Sequence, residues 1–158
     1  MRKTALMTFL SVLIFVSAAA LPANATAGAF QVAGTANLNS GSPCTGGVCN
    51  GTLLGVLHGV FASPTVNCAT GCPFTGSFTY DEPGGMCVAG IPIAPLGTAN
   101  GSIALGTIGL NFTWTRVGLT ALVLLSGPST TGVAVFVFVP PQTCNPSSET
   151  FVGAGAFF

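Results

Sequence analysis

The chain is short of charge. Its 158 residues include three Lys or Arg, three Asp or Glu and one His. An ordinary soluble domain takes roughly a quarter of its residues from the four charged types. That scarcity excludes most chemistry, because acid–base and nucleophilic catalysis need titratable groups in pairs. A serine triad would have to combine His58 with Asp81, and no G-x-S-x-G elbow is present. Glycoside cleavage needs two carboxyls facing one another, whereas Asp81 and Glu82 are neighbours that a regular strand sends to opposite faces. No C-x-x-C pair occurs, and the glycine-rich stretch 97–101 lacks the lysine and helix of a phosphate loop. The reading is a non-catalytic protein without a cofactor.

Cationic surface is missing as well. Arg2 and Lys3 open an apolar stretch, residues 5–20, that only Thr8, Ser11 and Ser17 interrupt. Pro22 and then Ala23-Asn24-Ala25 follow, which is the pattern of a cleaved secretory leader over residues 1–25. The apolar stretch is shorter than the ~20 residues that span a bilayer, so no transmembrane helix is expected after cleavage. Removing the leader leaves Arg116 as the one arginine or lysine, which excludes nucleic acid as a partner. The expected location is secreted, extracellular or at the cell surface.

Cysteine, by contrast, is plentiful: Cys44, Cys49, Cys68, Cys72, Cys87 and Cys144 all follow the leader. An even number in an oxidising compartment reads as disulfides. Zinc is the competing reading for Cys68-x₃-Cys72, but Cys44-x₄-Cys49 falls outside zinc spacing and His58 is the lone imidazole. Of the possible connectivities, Cys44–Cys49, Cys68–Cys72 and Cys87–Cys144 is the one expected. No metal site is assigned; Asp81 and Glu82 beside a glycine turn read as solvated acids.

No sustained 3.6-residue pattern follows the leader, which leaves short apolar segments separated by glycine, proline, serine, threonine and asparagine. That cadence predicts one all-β domain over residues 26–158, an antiparallel sandwich or small barrel of about eight strands. The predicted strands are 29–38, 52–62, 74–82, 99–105, 109–116, 119–125, 133–139 and 150–158. Asn50, Asn100 and Asn111 begin Asn-x-Ser/Thr sequons, and Asn-Gly at the first two fits turn chemistry equally well.

Two features single out residues for function. Phe78-Thr79-Tyr80 and Phe112-Thr113-Trp114 share a pattern, and alternation puts Phe78, Tyr80 and Glu82 on one face and Phe112, Trp114 and Arg116 on another. Tyr80 and Trp114, pinned by Glu82 and Arg116, are the candidate binding residues, with Arg116 expected to pair with Glu82 or Asp81. The alternative is a half-buried aromatic cluster with an ion pair at its edge. The second feature is the segment 133–139, where Val133, Val135, Val137 and Val139 occupy one face and Ala134, Phe136 and Phe138 the other. A strand covering one core should be polar on its outer face. Both faces here require apolar cover. The expected role is therefore a binding module whose ligand is a glycan, a cell-wall polymer or a protein. Self-association through Val133 to Val139 into a structural surface layer is the alternative, and a small outer-membrane barrel the third reading.

Overall fold

The computed structural model describes residues 28–38, 47–62, 65–81, 87–88, 91–92, 97–128, 130–140 and 146–158. The expected leader, residues 1–25, lies outside these residues. Strand β1 (Ala29–Leu38) is followed by β2 (Val48–Ala62) and β3 (Thr65–Asp81), the longest pair in the fold. A minor hairpin of β4 (Cys87–Val88) and β5 (Ile91–Pro92) comes next. Then come β6 (Gly97–Leu105), β7 (Ile108–Val117), β8 (Thr120–Ser126), β9 (Thr131–Phe138) and β10 (Ser148–Phe157). Eight of them close into an antiparallel barrel in the order β1-β10-β9-β8-β7-β6-β3-β2. Apart from the minor hairpin, each strand pairs with its neighbours in sequence, and β1 closes the ring against β10. Of the two architectures expected, the barrel is the one formed.

Closure follows from the register. Tracing hydrogen-bonded partners once around the ring returns to β1 about ten residues from the start, a stagger that tilts eight strands by about 40°. An eight-stranded barrel of this kind has a lumen that side chains just fill. Period-two alternation supplies the filling: β7 and β8 bury every second residue without a break. Inside stand Phe30, Phe74, Phe78, Phe112, Trp114, Phe136, Phe138, Phe151 and Phe157. Phe136 stacks on Phe151 with ring centroids 4.8 Å apart, and Trp114 meets Phe138 edge-on at 5.7 Å. Among the described residues, the lumen void between Phe30, Phe74, Phe112 and Phe151 is about 30 Å³ and wholly apolar in its lining, room for about one water.

So many rings fit because small residues share their phase. On β2, Cys49, Gly51, Leu53, Gly55 and Leu57 point inward together, and on β10 Gly153 and Gly155 alternate into the lumen with Phe151 and Phe157. A methyl group on Gly55 would lie 2.6 Å from the ring of Phe74, and one on Gly153 would lie 2.5 Å from that of Phe136. Glycines inside the predicted strands 52–62 and 150–158 thus serve as the spaces into which rings pack.

Residues 68–72 interrupt the β2–β3 ladder. Leu57 faces Cys72 and Gly59 faces Cys68, so Ala69, Thr70 and Gly71 stand opposite His58 alone. Gly71 takes a left-handed φ of 96° to turn this bulge, and the expected Cys68–Cys72 disulfide staples its two ends. Cys49 is also disulfide-bonded. Its expected partner Cys44, together with Cys144 and the side chain of Cys87, lies outside the described residues.

Candidate functional site

The aromatic repeat does not form an outward platform. Trp114 and Arg116 on β7 point into the lumen, each about 5% exposed (6% and 5%), and Tyr80 on β3 is half-buried against the same core. Phe78 joins the two strands, lying 5.5 Å from Tyr80 and 5.0 Å from Trp114 between ring centroids. Alternation grouped these residues on the right faces, and those faces turn inward. Glu82 lies outside the described residues. The structure therefore brings Tyr80, Trp114 and Arg116 together as interior packing at one end of the barrel.

Arg116 finds a different acid from the one expected. Its Nη1 donates to Oε2 of Glu149 at 2.5 Å and its Nη2 to Oε1 at 3.1 Å, a bidentate pair with both side chains at most 5% exposed. Nε donates to the Gly118 carbonyl at 2.9 Å, and the guanidinium sits 4.0 Å above the Phe138 ring. Asp81 cannot compete, because it points outward, where its Oδ2 accepts a hydrogen bond from Thr98 at 2.7 Å. Glu149 on β10 reaches Arg116 across the lumen instead of along the sheet, since β8 and β9 separate their strands. The pair lies at the end of the barrel from which the connections β1–β2, β3–β6, β7–β8 and β9–β10 depart, and no buried polar side-chain atom among the described residues lacks a partner. Every charge-bearing group of this pair is consumed by structure. His58 lies on the outer surface, and no three His, Cys, Asp or Glu converge among the described residues.

The outer wall is where unexplained chemistry remains, and two of its regions differ, while β2 also exposes Val48, Leu54, Val56 and Val60. On β3, β6 and β7 the outward side chains include Thr75, Ser77 and Thr79, then Thr98, Asn100 and Ser102, then Asn111, Thr113 and Thr115, with Val117 exposed at the end of β7. Register sets them side by side and they bond to one another, Thr113 Oγ1 donating to Asn100 Oδ1 at 3.0 Å. Near one edge a shallow notch of about 460 Å³ opens between Ser102, Asn111 and Ser126, where Gly109 and Gly127 leave space.

The second region, on β8, β9 and β10, is largely apolar. Leu122, Leu124 and Val135 are 49%, 55% and 46% exposed. Val133, Val137, Val152, Ala154 and Ala156 extend the same surface, half-buried by their neighbours. Val139 continues the β9 line outward, as alternation requires, while Ala134, Phe136 and Phe138 fill the core. The segment 133–139 is thus a wall strand with one apolar face inside and one outside. A free row of strand edges is not what it offers, because closure pairs both its edges.

No family model, curated protein or solved structure matches the chain.

Proposed function

We propose that this protein is a secreted, non-catalytic β-barrel that acts as an interaction module at the cell surface or in the extracellular space, docking through the outer wall of β8, β9 and β10. The observation that carries the reading is the exposed aliphatic surface centred on Val135, set in a barrel whose core is already complete without it. Exposed apolar patches of several hundred Å² on otherwise soluble proteins mark contact surfaces. The leader-like N-terminal sequence and the disulfides support export. Reversal of the membrane-barrel pattern argues against lipid insertion: among the described side chains the Phe, Tyr and Trp rings other than Phe158 point inward, and the outer face of β3, β6 and β7 is largely Thr, Ser and Asn.

Fractionation of cells expressing the full chain tests the reading. Wild-type protein should leave the cytoplasm and be retained on the envelope or in extracellular assemblies, and Val135→Lys should release it without altering its melting curve. Retention unchanged by the lysine, or accumulation in the cytoplasm with the leader uncleaved, would sink it. The hydroxyl- and amide-lined notch at Ser102, Asn111 and Ser126 supports a second reading, in which the polar wall holds a neutral glycan or cell-wall polymer. Asn111→Lys would then be the variant that loses retention.

A further inference from the structure

The apolar wall is graded across the strands. In one row Leu122 on β8 pairs with Val135 on β9, which pairs with Ala154 on β10. In the next row the order is Leu124, Val133, Ala156. Side-chain size therefore falls from leucine to valine to alanine twice in register, making a ridge along β8 and a trough along β10. We infer that the partner for this wall is a second copy of the same chain, joined by a two-fold axis lying along β9; this rests on the docking surface proposed above.

Geometry favours that occupant. Rotation by half a turn about β9 places β8 of each copy over β10 of the other. Leu122 then faces the partner's Ala154, Leu124 faces the partner's Ala156, and Val135 meets its own mate. A ridge filling a trough twice over is the self-complementarity that an isologous interface demands. The exposed area of the wall is on the order of 500 Å² per copy, about 1,000 Å² for the pair, which reaches the lower range of specific interfaces. Among the described residues no charge interferes, since Arg116 and Glu149 are inside and Asp81 is on β3. A lipid surface fits less well, because the wall lacks the Trp, Tyr, Lys and Arg that anchor proteins at headgroups.

The test is complementary swapping in the mature, disulfide-intact chain. Light scattering after gel filtration should give twice the chain mass for the wild type. Leu122→Ala with Leu124→Ala empties the ridge, and Ala154→Leu with Ala156→Leu fills the trough; each variant alone should weaken the dimer about 100-fold. Mixed in equal amounts with distinct tags, the two variants should form a heterodimer, which contains one native contact set and one with the sizes exchanged. Val135→Lys, at an exposed position, carries the same test should a double variant fail to fold. A wild-type monomer at high micromolar concentration overturns the dimer. The docking role of the wall then stands or falls separately, on the fractionation of Val135→Lys. A dimer that neither Val135→Lys nor the double variants weaken also overturns the inference, as does one that the mixture does not restore.

Discussion

Two regions of the outer wall, β3, β6 and β7 on one side and β8, β9 and β10 on the other, are built on the same inner scaffold and present opposite surfaces. On β7, Phe112 and Trp114 point in while Thr113 and Thr115 point out; on β9, Phe136 and Phe138 point in while Val135 and Val137 point out. Burying aromatic rings in the lumen stabilises both regions alike, so the fold does not explain why one is polar and the other aliphatic. An outward valine exposed to water contributes little to stability. Exposure without a folding benefit is what the proposed docking role requires of β8, β9 and β10, and the Thr/Ser/Asn rows show the same barrel with side chains that bond to solvent.

The comparison is broken most forcefully from inside. Phe136→Ala and Phe112→Ala each remove a buried ring beneath one of the two walls, and each should lower unfolding free energy by about 3–5 kcal/mol. Denaturant titration checks this, and unequal losses would mean that the two regions do not share a common core. Glu149→Gln should cost somewhat less, about 3 kcal/mol, by leaving the Arg116 guanidinium enclosed without its counter-charge. The companion double variant Arg116→Met with Glu149→Leu should recover most of that loss, because paired removal leaves no buried charge unmatched.

How much of this was legible in the sequence depended on phase, which alternation supplies, and direction, which it does not. The eight long strands were readable from apolar segments and their turn residues, with β2 and β3 running further than expected because Val48 and the stapled 68–72 bulge extend their ladder. Phe112, Trp114 and Arg116 were correctly placed on one face. An arginine beside aromatics suggested a surface, whereas Glu149, more than thirty positions away, neutralises it within the lumen. Only barrel closure brings β7 and β10 to face each other, and closure is not a local property. A usable signal was overlooked: glycines in phase with large apolar residues, as in Leu53-x-Gly55-x-Leu57, mark an inward line where rings from other strands need room. The same phase would have shown that Val133, Val135 and Val137 face outward, since Phe136 and Gly153 must meet inside.

Outward substitutions sharpen the comparison. Val135→Lys and Thr113→Lys put the same charge at comparable exposed positions on the two walls. The first should weaken association about 100-fold, or about 2.7 kcal/mol, and the second should leave it unchanged. Both should melt within a degree or two of the wild type, as exposed substitutions away from caps and turns usually do. Equal effects on native mass would erase the distinction between the walls.

The smallest expected effect is the most discriminating about what the polar wall is for. Asn100→Ala removes the acceptor for Thr113 Oγ1 while leaving the backbone ladder of β6 and β7 intact. That hydrogen bond is exposed, so water replaces the lost partner and the net loss should be about 0.5 kcal/mol or less. For a chain of this length the melting temperature should fall by about 2 °C. Native mass should not change, because the β8–β10 wall is untouched. If the polar rows instead hold the barrel in shape, the loss should approach that of a buried group and the ladder should loosen, visible as faster amide exchange on β6 and β7. A shift that small, with exchange unaltered, identifies the Thr/Ser/Asn rows as solvated surface, where water takes up each hydrogen bond that a substitution removes.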